Sequence, residues 1–169
     1  ELTNPALLGD RMPVLFVGHG SPLNAIEDNA FSRAWRDLGE QLPPPRAILC
    51  VSAHWETRGV HVSAIRSPGT IHDFYGFPRE LYEIQYSAPG DPELANRIVK
   101  LVEKVPVRLD HTRGLDHGAW SVLRLMYPRA EVPVIQLSLD TQQPAAFHYD
   151  LGRELAPLRT EGVLVLGSG

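Results

Sequence analysis

A single cysteine, Cys50, leaves this 169-residue chain without any internal disulfide, so its fold must rest on a packed core. Cys50 falls inside an apolar run and is expected to be a buried strand thiol. Long apolar runs are missing too: nothing approaches the roughly 20 residues of a transmembrane helix, so no membrane partner is expected. No basic cluster interrupts a composition with net charge −4 and pI near 6.0, which argues against a nucleic-acid partner. The opening ELTNPALLGD has neither a basic n-region nor an apolar h-region, so no signal peptide is read there and the default location is cytoplasmic. Common catalytic signatures are absent as well: no GxSxG elbow, no Walker loop, no GxGxxG after a strand, no HExxH. Ser21 beside His19 lacks a third group to complete a triad, and a hydroxyl at such a turn more often bonds backbone.

What is present is the make-up of a soluble globular chain. With 43% hydrophobic and 21% charged residues it can build one real core, so a single domain over 1–169 is expected. β-branched apolar runs at 13–18, 46–53, 132–139 and 163–166, an alternating segment at 59–65 and a short run at 107–109 read as strands. Between them, 31–42, 91–105, 119–126 and 145–158 have helical spacing. Phe31, Trp35 and Leu38 are expected on one face of the first helix, and Asp91 is expected to cap the second. Phe147, Leu151 and Leu155 form the buried face of the last. Residues 67–89, rich in glycine, proline and aromatics, have no clear period, and a long irregular stretch in a compact domain is often functional. Strands alternating with helices predict an α/β fold: a mostly parallel central sheet with helices on both faces, an α/β/α sandwich. The chain opens on Glu1 rather than methionine and stops at Gly167-Ser168-Gly169, directly after a strand. It therefore reads as part of a longer protein, and its final strand is expected to lack a following neighbour, exposing an unpaired edge or an apolar face.

The chemistry sits on histidines. His19 follows the run PVLFVG and His54 follows AILCVSA, each just past a strand end. Open α/β sheets gather ligands at the carboxyl ends of their strands. The two histidines are about one βαβ unit apart, which can bring them together on neighbouring strands. Imidazole commonly binds zinc and iron, so a metal site is the first hypothesis. His72, in TIHDFYGFP, and His117, in GLDHGAW, have the aromatic and glycine neighbours of pocket loops. Asp116 is the expected cap of the helix that follows. His61, His111 and His148 read as surface or packing residues.

Five motifs, GHGSPLNAIEDN, VSAHW, TIHDFYGFP, LDHGAW and PVIQLSLD, occur in the order and spacing of the DODA-type extradiol ring-opening dioxygenases, the class III or LigB-like enzymes. The resemblance runs from about Met12 to Gly169. It implies a non-haem Fe(II) centre that opens the ring of a catechol such as DOPA with O2, so the implied partners are a small-molecule catechol and dioxygen. It implies that His19 and His54 are metal ligands and His117 a catalytic acid/base. His72 would line the substrate pocket. Tyr75 stands where the family motif has a glycine and would add substrate-facing bulk. Zinc fits the same ligands but cannot perform the redox step. In the family the glycine-rich turn runs on into further metal-site histidines, so this chain is expected to hold at most half of the shell and to be inactive alone. The competing readings are a zinc-dependent hydrolase on the same fold and a non-catalytic fragment.

Overall fold

In the computed structural model, which describes residues 11–169, the elements run β1 (Val14–Val17), α1 (Ala30–Gln41), β2 (Ala47–Ser52), β3 (Glu56–Thr57), β4 (Val60–Ser63), α2 (Arg79–Tyr82), α3 (Pro92–Leu101), β5 (Val107–Asp110), α4 (His117–Met126), β6 (Val134–Gln136), β7 (Leu139–Asp140), α5 (Ala145–Glu154) and β8 (Val163–Ser168). The opening segment 1–10, where no signal peptide was read, lies outside the described residues. Among the described residues no helix is long and apolar enough to cross a membrane.

Side-chain alternation along the strands sorts the core into two layers. The central sheet is parallel, in the order β1-β8-β2-β6. Ile48, Cys50, Val134, Leu164 and Leu166 pack on one face against Trp35 of α1 and Trp120 and Leu123 of α4. Ala47, Leu49, Ile135 and Val163 pack on the other against Ile98 of α3 and Leu151 of α5. Ile48 and Leu49 are fully buried, each stabilising the fold by about 1.5–3 kcal/mol. Cys50 is buried as expected, and burial pushes its thiol up, which leaves it unreactive. Two small parallel pairs, β3-β7 and β4-β5, extend this architecture.

Several expectations need correction. β1 and β2 are not neighbours, because β8 lies between them and pairs with both. The final strand is therefore central rather than unpaired. The exposed apolar face lies instead on β1, where Val14 and Phe16 are 57% and 80% exposed. They border a groove of about 620 Å³ beside α5. Phe31 is not on the buried face of α1; it is 61% exposed. A capping box sets the helix rotation: Asn29 accepts from the Ser32 amide, Ser32 Oγ accepts from the Asn29 amide, and Ser32 and Trp35 turn inward. The segment 132–139 is not one strand. After Leu137, whose amide still bonds Cys50 O, it leaves β2 and changes partners, with the Ser138 amide bonding His61 O and the Leu139 amide bonding Trp55 O. The helix predicted at 91–105 stops at Leu101, where Glu154 accepts from the Glu103 and Lys104 amides. Asp91 does cap it, accepting from the Leu94 amide. The helix predicted at 145–158 ends at Glu154, and a 3₁₀ stretch takes over at Ala156–Glu161, because Pro157 cannot continue α5.

Candidate metal centre

Three adjacent parallel strands end at the same edge. β1 runs into Gly18-His19, β2 runs towards His54, and β8 places Ser168 between them. Gly20 adopts φ +59, a left-handed conformation that glycine tolerates, and turns the chain into a 3₁₀ stretch at Pro22–Ala25. Ser21 Oγ accepts there from the Leu23 amide, so this hydroxyl is structural. Buried Asn24 donates to the His19 carbonyl at 3.1 Å and accepts from Asn29 at 2.9 Å, which fixes the loop carrying His19. A third imidazole comes from α4. Asp116 caps that helix by accepting from the Ala119 amide, which puts His117 in its first turn. Gly118 lets α4 approach closely: a Cβ there would clash with Ser52 Oγ and press on the His54 ring.

The three rings converge. Centroid separations are 4.8 Å for His19–His54, 4.0 Å for His54–His117 and 5.3 Å for His19–His117. One ring nitrogen from each lies within 4.8 Å of the others. His19 Nε2 and His54 Nε2 are 2.9 Å apart, a hydrogen-bond distance rather than the roughly 3–4 Å that two metal–nitrogen bonds would span. His19 and His117 are buried at 6% and 5% exposure, while the His54 side chain is one-third exposed and marks the open side.

Hydrogen bonds behind the rings decide which nitrogens face inward. Ser168 Oγ contacts both the Gly118 carbonyl and His19 Nδ1, the latter at 2.9 Å. A carbonyl only accepts, so the hydroxyl proton goes to Gly118 and Ser168 must accept from His19 Nδ1–H. His19 Nε2 is then a bare lone pair. Asp73 Oδ1 accepts from His117 Nδ1–H at 2.9 Å and from the His117 amide at 3.0 Å, which leaves His117 Nε2 bare as well. The proton in the His54–His19 contact therefore belongs to His54 Nε2. A cation seated among the rings would replace that proton and meet three neutral imidazole nitrogens with one side open. That donor set suits zinc, iron or another first-row transition ion.

Electrostatics favour the same state. Burial, then the neighbouring His54 and His117, push the His19 imidazole down to about 4. Burial alone would raise the Asp73 carboxyl, but the hydrogen bonds from His117 outweigh it and hold Asp73 at about 2. The His19 shift predicts a pH response of the metal-free protein. The unfolded chain takes up this proton near pH 6.5 and the folded chain only near pH 4. Stability is therefore expected to fall by about 3 kcal/mol as pH drops through that window, and then to level off. Asp73 weakens the fold only at lower pH still, as its carboxyl protonates. Urea unfolding midpoints from pH 7 to pH 4 check this against His19→Asn. A wild-type profile as flat as the variant's would refute it.

Beneath the rings lies a buried polar network. Asp116, fully buried, accepts from Ser52 Oγ at 2.6 Å, Gln136 Nε2 at 2.8 Å and Arg113 at 2.8 Å. Arg113 also reaches the His54 carbonyl at 3.3 Å and lies over the Trp55 ring. This ties the β2 turn to the start of α4.

Of the five residues singled out from sequence, His19, His54 and His117 come together. His72 stands one ring behind: its Nε2 is 3.0 Å from the Ile84 carbonyl and its ring packs on Phe74, which in turn meets His117 edge-on at 5.6 Å. Tyr75 is 93% exposed. Sequence reading passed over Phe74, Asp73, Asn24, Ser52, Arg113, Gln136 and Ser168. Asp73 and Phe74 had one signal, their place directly after His72 in the irregular segment. Ser168 and Gln136 had none, because their partners are distant in sequence. His148 Nε2, 3.2 Å from the Asp140 carbonyl, is a packing residue as expected.

Residues 14–169 match the family described as the catalytic LigB subunit of aromatic ring-opening dioxygenase. The chain is 55% identical, over 94% of its length, to a 4,5-DOPA dioxygenase extradiol of Escherichia coli (strain K12), and 49% identical, over 91%, to one of Beta vulgaris. The crystal structure of the uncharacterized protein JW3007 from Escherichia coli K12 superposes with a TM-score of 0.79 at 49% identity over 94% of the chain. The chain spans 59–60% of the length of these relatives.

Proposed function

This chain belongs to the LigB family of aromatic ring-opening dioxygenases, and from that premise we propose that it forms part of a non-haem iron centre that opens the ring of a catechol such as DOPA with dioxygen. In this reading His19 and His54 are metal ligands and His117 is the catalytic acid/base. The observation that carries it is the convergence of three imidazoles whose Nδ1 sides are turned away, two of them held by Ser168 and Asp73. A ferrous ion, when bound, supplies Lewis acidity towards catechol hydroxyls and an electron path between catechol and dioxygen. His117 Nε2, bare and facing the cluster, accepts a hydroxyl proton, and Asp73 steadies the imidazolium that forms. Phe74, packed on His117 and Trp120, offers an aromatic wall for a planar ring. His72 backs that wall. Tyr75, next to Phe74 and free in solvent, is the residue whose bulk would discriminate among catechol side chains.

The test is dioxygen uptake by the chain extended to the full length of its relatives, loaded anaerobically with Fe(II) and then given DOPA. The expected result is one O2 consumed per catechol, with a yellow ring-opened product. Zn(II)-loaded protein is expected to consume none, since zinc has no accessible second oxidation state. Uptake independent of iron would overturn the proposal. Turnover of an ester or amide by the zinc form alone would favour hydrolysis by zinc-bound water.

A further inference from the structure

We infer that Asp73 is a positioning residue whose single carboxylate sets the tautomer of His117 and, once a cation takes Nε2 of His54, favours the Nδ1–H form of that ring as well. The inference rests on the reading of the histidine cluster as a metal centre, but its geometry is independent of it. Asp73 Oδ1 receives both the amide and Nδ1–H of His117, at 3.0 and 2.9 Å. Its other oxygen faces His54 Nδ1 at 3.7 Å. That gap is too long for a hydrogen bond but well within electrostatic reach. Isolated neutral imidazole can carry its proton on either nitrogen, so an unassisted ring would present the protonated nitrogen to the centre part of the time. Here the choice is made from behind. A carboxylate can only accept, so a neutral His117 keeps its proton on Nδ1 and its lone pair on Nε2. When a cation takes Nε2 of His54, the displaced proton has Nδ1 to move to, where Oδ2 of the same carboxylate favours it. Partners behind ligand imidazoles commonly contribute 10–100-fold to metal affinity.

Asp73 is well suited to the task because it is bound on one side and open on the other. Its side chain is 25% exposed, and no arginine or lysine competes for it among the described residues. Arg113, the nearest guanidinium in the network, is committed to Asp116 and the His54 carbonyl.

The experiment compares wild type, Asp73→Ala and Asp73→Asn. Long-range 1H–15N spectra of the metal-free proteins at pH 8 read the His117 tautomer directly, without any turnover. Wild type is expected to show His117 protonated on Nδ1. Asp73→Ala, with no acceptor, is expected to shift it largely to Nε2–H. Asp73→Asn keeps one acceptor oxygen and is expected to restore most of the Nδ1–H form, which a merely structural role would not do. Zn(II) affinity, read by chelator competition, is expected to drop 10–100-fold in Asp73→Ala, with Asp73→Asn in between. An Nδ1–H tautomer retained in Asp73→Ala, with affinity within twofold of wild type, would overturn the inference and leave the metal-centre reading standing. Wild type that binds no zinc while its tautomer still depends on Asp73 would remove the metal-centre reading and keep the positioning role. Should Asp73→Ala fail to fold, the wild-type spectrum decides: His117 protonated on Nε2 would overturn the inference.

Discussion

In a protein extended to the full length of the relatives, replacing His117 with alanine is expected to cut catechol turnover by about 10²–10⁴-fold while metal content stays near wild type. The size follows from the role. A positioned base removes a hydroxyl proton in the transition state, and a lone pair aimed at the reacting group is required at that moment. His117 Nε2 has that lone pair because Asp73 accepts at Nδ1. It is buried at 5% exposure and sits in the first turn of α4, which places that nitrogen among the other two rings. In the proposed reading the ion is held by His19 and His54 rather than by His117. Metal analysis alongside oxygen-electrode rates decides between roles. Metal lost together with activity would make His117 a ligand, which its nitrogen's place within 4.8 Å of the others permits. Unchanged turnover would return it to a structural role.

The largest loss of stability is expected from Asp116→Ala, about 3–5 kcal/mol. Asp116 is fully buried and holds Ser52, Gln136 and Arg113 together. Removing its carboxylate strands a guanidinium whose side chain is only 20% exposed, and it also removes the α4 cap. The urea midpoint should fall sharply with little change in slope. Asp28→Ala is the control. Asp28 pairs with Arg33 and Arg36 in solvent, and its loss should leave the midpoint essentially where it was. A shift for Asp116→Ala no larger than the control's would refute the view that this network fastens the site to the fold.

Much of the fold is legible in the sequence because its signals are local. β2 reads from AILCVS, where hydrophobicity is continuous because both sheet faces are covered. α3 reads from Asp91 and the stripe Leu94, Ile98, Leu101 and Val102. His19 and His54 stand out because each follows such a strand. The expectations that needed correction depend on what lies across from a segment. Phe31 is turned outward by a capping box that sets the rotation of α1. The run 132–139 breaks because its second half finds a different partner strand. Nothing near residue 163 announces that β8 inserts between β1 and β2.

The sequence by itself determined that strands alternate with helices, that two histidines stand at carboxyl ends of strands, and that a third opens a helix capped by aspartate. Only the tertiary structure decided that the three rings meet and which nitrogens they offer one another. An imidazole's donor and acceptor sides are chosen by the group behind it. For His19 that group is Ser168, 149 residues away, and for His117 it is Asp73, 44 residues away. Periodicity and propensity act over a few residues, whereas these hydrogen bonds exist only once the parallel strands have been laid side by side.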